Sequence, residues 1–175
     1  LRRGGNAVDA AVAVQTMLGL VEPQSSGLGG GAFMVHYDAT TTAVTVYDGR
    51  EVAPRGATPD MFLDDGGQPL PFRTAVLSGR ATGVPGAVAM LALAQKQHGK
   101  LPWRDLFGEA ERVAREGFTV TKRMEHFVQG PYPQSNAPDV VRYFSDGRGG
   151  KVRAGDTLKN PAYAAFVRRL ASEGP

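Results

Sequence analysis

Residues 7–21 are the feature that most restricts how this 175-residue chain can fold. Nearly every position in the segment is apolar, and alanine and valine predominate. Asn6 precedes it and Asp9 follows three residues later, as in a capping box, so the pattern predicts a helix from Ala7 that ends before Pro23. Because a helix that is apolar all round must be covered on most sides, we expect it inside a layered fold.

A glycine-dense loop, EPQSSGLGGGAF, follows at residues 22–33. Glycine loses more backbone entropy on ordering than any other residue, so four glycines in five positions predict positive φ angles or close approach of another group. The loop lies after a helix and before a strand, which is the reverse of the order in phosphate-binding loops. No Gly-x-Ser-x-Gly elbow surrounds Ser25 or Ser26, so we assign these serines to backbone hydrogen bonding.

Two strand patterns, over residues 32–37 and 43–48, follow the loop and predict a hairpin. Both of its faces carry apolar residues, so we expect a sheet that is covered on both sides. Turn and capping signals also predict a short helix at 58–63 and a strand at 75–79. Further helices are predicted at 87–98, 101–116, 121–128 and 139–144, with a last one starting at Asn160. No repeat or shift in composition marks a second domain.

Composition argues against several classes of protein. The net charge is +3, but the 20 Lys and Arg residues are scattered, so no nucleic-acid partner is expected. Without cysteine there is no disulfide, thiolate zinc site or cysteine nucleophile. His36, His98 and His126 lack the spacing of metal ligands, and Asp64 and Asp65 are typical of a solvated turn, so we expect no metal and no cofactor. No apolar run is long enough to span a membrane, and the chain by itself does not indicate a location.

Arg50 is the candidate binding residue. It stands where the second predicted strand ends and irregular backbone begins, a position where folds commonly present binding residues. Its planar guanidinium suits a carboxylate, so an acidic small molecule is a natural ligand. The alternative at this point is a surface salt bridge with Asp48 or Glu51.

Three stretches together resemble the large subunit of the gamma-glutamyltranspeptidases. They are GGNAVDAAVA at residues 4–13, the loop at 22–33, and DGREVAP at 48–54. Shorter matches follow in the same order at 57–62, 78–86, 116–118 and 155–158, so the likeness covers essentially the whole chain. The resemblance implies an α+β fold: a partial N-terminal-nucleophile hydrolase fold, the large-subunit portion of a four-layer αββα sandwich. Residues 1–175 would then be an incomplete large-subunit segment of one such domain.

The resemblance also implies a reaction. In this family a precursor cleaves itself into a large and a small subunit, and the N-terminal threonine of the small subunit attacks the γ-glutamyl carbonyl of glutathione and related compounds. The acyl-enzyme then passes the glutamyl group to water or to an amino acid or peptide acceptor. The implied partner is the small subunit from the same precursor, and the implied location is periplasmic or secreted.

The resemblance assigns one site residue in this chain. Arg50 matches the arginine that pairs with the α-carboxylate of the γ-glutamyl donor, and Glu51 is expected only as a neighbour in the pocket wall. The threonine nucleophile is absent, so no catalytic residue is expected here and the segment alone should be inactive. The serines and glycines of the 22–33 loop are expected to pack beneath the site.

Two alternatives remain. One is a related acylase of the same fold that acts on glutaryl or cephalosporin-type side chains. The other is a non-catalytic carboxylate-binding or structural module.

Overall fold

The computed structural model describes all of residues 1–175. In chain order its helices are α1 (Ala7–Val21), α2 (Phe72–Leu77), α3 (Ala87–His98), α4 (Gly108–Glu116), α5 (Lys122–Gln129), α6 (Pro138–Tyr143) and α7 (Pro161–Glu173). Its strands are β1 (Ala32–Asp38), β2 (Ala43–Gly49), β3 (Phe118–Thr119) and β4 (Thr157–Leu158), and each of the two sheets has two strands. None of the helices is long and apolar enough to cross a membrane.

Two compact units make up the chain. The first contains Leu1–Glu51, Pro85–Thr119 and Thr157–Pro175, and the second contains Val52–Val84 and Val120–Asp156. The second unit therefore consists of two excursions of the chain. The ends of each excursion are close, since Val52 pairs with Val84 in an isolated bridge and the residues flanking the other excursion pair in the β3–β4 sheet. The assignment of the chain to one domain stays a prediction.

Helix α1 begins and ends where the sequence predicts. The Asn6 side chain accepts hydrogen bonds from the amides of Val8 and Asp9, and the Asp9 carboxylate accepts one from the Asn6 amide, which completes the capping box. Helices α3 and α4 contact it, and its buried residues form one stripe. Val14, on the opposite side, is 54% exposed, but apart from Ala7 every other residue of the helix is buried or half-buried. The expectation that most sides of the helix are covered is therefore confirmed.

The predicted hairpin is confirmed as the antiparallel pair β1–β2, with Ala32 opposite Gly49 and Asp38 opposite Ala43. One face contacts α3 and buries Tyr47. The other face presents five large apolar side chains that are all more than half exposed, and we call it the open sheet face. Its members are Phe33, Val35, Tyr37, Val44 and Val46. Within this chain the sheet is thus covered on one side, not on both as the sequence predicted.

A hydrophobic core joins the helices of the first unit. Phe107, Val12 and Val167 are almost completely buried in it, and Trp103 donates a hydrogen bond of 2.9 Å from its indole nitrogen to the carbonyl oxygen of Leu170. Helix α3 matches its predicted bounds, and α7 begins after Asn160 as expected. The single helix predicted over 101–116 is instead a 3₁₀ turn at Trp103–Leu106 followed by α4.

In the second unit, two predictions from local sequence are wrong. The strand predicted at 75–79 is instead the end of α2 and the start of a 3₁₀ turn, and the amide of Ala75 donates a hydrogen bond to the carbonyl of Pro71, the residue before α2. The helix predicted at 58–63 is a pair of turns whose amides bond three residues back. Helix α5 is confirmed, and the hydroxyl of its N-cap Thr121 accepts a hydrogen bond from the Met124 amide.

Candidate functional site

Arg50 is the first residue after β2, as the sequence predicted, and its side chain is 72% exposed. Its amide donates a 2.9 Å hydrogen bond to the carboxylate of Asp48, and its Nε lies 3.6 Å from a carboxylate oxygen of Glu51. An exposed ion pair at this distance contributes little stability, because water screens both charges. The guanidinium therefore lies near Glu51 without being held firmly, and a ligand carboxylate can compete for it.

The glycine loop approaches this site closely. None of its four glycines has a positive φ. The other predicted reason, close approach, is found at Gly31, where an added Cβ would lie 2.9 Å from Cδ and 3.0 Å from the amide nitrogen of Glu51. The carbonyl of Gly30 accepts hydrogen bonds from the amides of Gly86 and Ala87, which ties the loop to the start of α3.

Glu51 and part of the glycine loop line an open cleft of about 480 Å³. The lining residues are Gln15, Pro23, Ser25, Ser26, Gly27, Gly30, Gly31, Ala32 and Glu51. The amides of Ser25 and Ser26 bond to the carbonyl of Glu22, and the Gln15 side chain donates to the carbonyl of Gly27. The loop thus lines a cleft together with Glu51, the residue that follows Arg50. That the loop packs beneath the substrate site stays a prediction.

The structure also joins two histidines that the sequence treats separately. The rings of His36 and His98 are stacked with centroids 3.9 Å apart, and the hydroxyl of Tyr47 lies 2.7 Å from Nε2 of His98. This cluster forms where β1 and β2 contact the end of α3, so only the tertiary fold could reveal it. His126 is exposed on α5. No group of three or more His, Asp or Glu side chains is arranged to hold a metal ion.

The whole sequence, residues 1–175, matches the gamma-glutamyltranspeptidase family. The chain belongs to this family. Among curated relatives, it is 37% identical over 174 residues to the glutathione hydrolase proenzyme of Bacillus subtilis; the aligned region is 99% of this chain and 30% of the relative. It is 41% identical over 175 residues to glutathione hydrolase 2 of Arabidopsis thaliana; here the aligned region is 100% of this chain and 29% of the relative. The chain thus spans less than a third of the length of these relatives.

Solved structures of a gamma-glutamyltranspeptidase and of an acylase superimpose on this chain. Gamma-glutamyltranspeptidase from Pseudomonas nitroreducens, complexed with L-DON, superimposes with a TM-score of 0.89 at 34% identity, covering 100% of this chain and 50% of that one. Cephalosporin acylase from Bacillus halodurans superimposes with a TM-score of 0.81 at 26% identity, covering 99% of this chain and 32% of that one. The α+β fold predicted from the resemblance, part of an N-terminal-nucleophile hydrolase fold, is confirmed.

Proposed function

We propose that this chain is the large-subunit segment of a gamma-glutamyltranspeptidase precursor that transfers or hydrolyses the γ-glutamyl group of glutathione and related compounds. Family membership over all 175 residues supports this, as do relatives named glutathione hydrolase proenzymes. The nucleophile would be a threonine that self-cleavage exposes at the start of the small subunit. Its hydroxyl would attack the γ-carbonyl while its α-amine takes the proton, and the leaving amine would depart before water or an acceptor amine releases the glutamyl group.

Arg50 is the residue of this chain to which we assign substrate binding. The observation that carries the assignment is its exposed guanidinium at the end of β2, beside the cleft that the glycine loop and Glu51 line. A guanidinium can bind the α-carboxylate of the donor through two parallel N–H···O bonds. Fixing that carboxylate would hold the γ-carbonyl at one place for attack.

The open sheet face supports a second subunit from the same precursor. Five large apolar side chains on one face of a two-stranded sheet form an exposed patch of the kind that marks an interaction surface. A two-stranded sheet is also marginal without further packing. We infer that another segment of the precursor covers this face.

Arg50→Ala in the full-length precursor tests the assignment with three para-nitroanilide donors. The γ-glutamyl donor has both head groups, the glutaryl donor keeps the carboxylate but lacks the amine, and the γ-aminobutanoyl donor keeps the amine but lacks the carboxylate. We expect kcat/KM to fall about 100-fold for the first two, because truncating one partner of a charge pair that fixes a ligand costs about 2–5 kcal/mol. The γ-aminobutanoyl donor should change less than about threefold, which is near the effect of a neutral contact.

Arg104→Ala is the matched control, since Arg104 is equally exposed and also lies beside an acidic neighbour, Asp105. It should leave all three donors unchanged. Arg50→Lys keeps the positive charge but cannot bind a carboxylate through two parallel N–H groups, so its activity should lie between those of Arg50→Ala and the wild type. An equal loss on all three donors in Arg50→Ala would contradict the assignment of Arg50 to the carboxylate.

The superposition on a cephalosporin acylase favours a second candidate, an acylase for glutaryl-type side chains. The same three donors separate the two candidates. A transpeptidase should prefer the γ-glutamyl donor, whereas an acylase should prefer the glutaryl donor. Absence of both self-cleavage and hydrolysis in the unmutated precursor would favour a non-catalytic module instead.

A further inference from the structure

Three glycines surround the backbone that carries Arg50. A Cβ added at Gly49 would lie 2.6 Å from Cβ of Met90, and one added at Gly86 would lie 2.5 Å from the carbonyl oxygen of Gly49 and 2.9 Å from that of Arg50. A Cβ added at Gly31 would lie 3.0 Å from the amide nitrogen of Glu51 and closer still to the flexible carboxylate of that residue. Real Cβ atoms essentially never approach a heavy atom more closely than 3.0 Å. The turn from Gly49 to Glu51 therefore leaves no room for a side chain at Gly49 or Gly86, and a side chain at Gly31 would displace the carboxylate of Glu51.

The contacts at Gly31 and Gly86 come from two different elements that are bonded to each other. Gly31 belongs to the glycine loop, and Gly86 is the N-cap of α3. Gly30 accepts hydrogen bonds of 3.2 Å from the Gly86 amide and 3.0 Å from the Ala87 amide. The glycine loop and the start of α3 thus form one hydrogen-bonded unit, and Gly31 of the loop and Gly86 of the helix start both pack against the turn that carries Arg50. We call Gly31 and Gly86 the glycine clasp.

Neither glycine of the clasp is required by its own backbone angles. Gly86 has φ −114° and ψ −15°, which any residue can adopt, and Gly31 is outside the positive-φ region. An alanine at either position would therefore be opposed only by steric contact of its Cβ with neighbouring atoms. At Gly86 the obstacle is backbone carbonyl groups, which cannot move aside as the end of a flexible side chain can.

We propose that Gly31 and Gly86 are positioning residues for carboxylate recognition, acting through Arg50. The proposal rests on the proposed function, since it assumes that Arg50 binds the donor carboxylate. Binding energy from a fixed head group is lost when the group that binds it shifts, and a misplacement of about 1 Å can cost about 100-fold in rate. For Gly86→Ala, which requires a shift of several tenths of an ångström, we expect about a tenfold loss on donors that carry the carboxylate.

The test measures the ratio of kcat/KM for the γ-glutamyl donor to kcat/KM for the γ-aminobutanoyl donor, in the full-length precursor after processing. This ratio does not depend on how much of the enzyme is folded, so a merely structural role would not change it. Gly86→Ala should lower the ratio about tenfold, mainly through KM for the γ-glutamyl donor. Gly31→Ala should lower it less, because part of its contact is with the flexible carboxylate of Glu51.

Two matched controls come from the same kinds of position. Gly108 begins α4 and Gly29 lies in the same loop as Gly31, and a Cβ at either meets nothing within 4 Å. Gly108→Ala and Gly29→Ala should leave the ratio unchanged. If both clasp variants leave it unchanged too, while Arg50→Ala lowers it, the positioning proposal is wrong and the proposed function stands.

The remaining outcomes are also decisive. If Arg50→Ala itself leaves the ratio unchanged, the assignment of Arg50 fails first and the clasp has no carboxylate to position. If neither clasp variant can be recovered as processed enzyme, while both control variants can, the glycines serve the fold as a whole and the positioning proposal is overturned.

Discussion

Asp9→Ala is expected to lower the free energy of unfolding by about 3 kcal/mol, because it removes a buried acceptor that three backbone amides share. The carboxylate is 2% exposed and accepts hydrogen bonds from the amides of Asn6 at 2.9 Å, Lys100 at 3.1 Å and Leu101 at 3.3 Å. It thereby fastens the start of α1 to the segment after α3. The midpoint of chemical unfolding of the full-length precursor measures the loss.

The same carboxylate gives a pH dependence. Burial alone raises the pKa of Asp9, but the hydrogen bonds from Asn6, Lys100, Leu101 and Gln95 outweigh it and hold the pKa below its ordinary value of 3.8. A lowered pKa in the folded state contributes stability that is present above the unfolded pKa and is lost as pH falls through the folded pKa. The difference between wild type and Asp9→Ala should therefore be full at pH 7 and shrink below about pH 4.

Asp9→Asn makes this test more specific. It keeps the size of the side chain but replaces one acceptor oxygen with an NH₂ group, which cannot accept a hydrogen bond from the backbone amides. It should destabilise at pH 7 as Asp9→Ala does. Asp65→Ala, on an exposed loop, is the control and should change stability by less than about 0.5 kcal/mol. A difference between wild type and Asp9→Ala that stays the same from neutral to acid pH would show that the charge of Asp9 contributes nothing.

Val35→Asp is expected to abolish formation of the processed two-subunit enzyme. Val35 is 69% exposed in the centre of the open sheet face, directly opposite Val46. If another segment of the precursor covers this face, the new carboxylate is buried without a partner, which costs several kcal/mol. Self-cleavage of the precursor, followed on denaturing gels, and donor hydrolysis are the two measurements.

In the 175-residue chain expressed alone, the same substitution should have the opposite effect. There the carboxylate stays in water and reduces the exposed apolar patch, so Val35→Asp should make the isolated chain more soluble. Val35→Thr, which keeps the shape and the preference for a strand, is the matched control and should allow processing. Normal processing of Val35→Asp would mean that this face is not covered.

Local signals predicted most of the helices. Asn6, Thr121 and Asn160 each accept a backbone hydrogen bond at the start of a helix that the sequence located, because a cap acts within one turn of its own position. The strand predicted near Val76 is wrong because no side-chain cap marks the start of α2. Its short apolar run is compatible with either a strand or a helix, so the local sequence could not distinguish the two.

The site was predictable only in part. Arg50 could be selected from its place after a strand and from the family motif, and the structure puts it there. Gly86 could not be selected, since its contact with the carbonyl of Arg50 joins residues 36 positions apart and exists only in the tertiary fold. Coverage of the hairpin was overestimated because apolar residues such as Phe33 and Val35 show that a face can be covered, not which segment covers it.

The two segments that form the second unit, 52–84 and 120–156, are the parts of the chain whose length can vary most easily between relatives. Each leaves and rejoins the first unit at residues that are close together, as the bridge between Val52 and Val84 and the pairing of Thr119 with Thr157 show. The entropy of closing a flexible loop grows only slowly with length, by about 0.6 kcal/mol for each doubling. Insertions and deletions should therefore accumulate within 52–84 and 120–156, while the turn that presents Arg50 keeps a constant length.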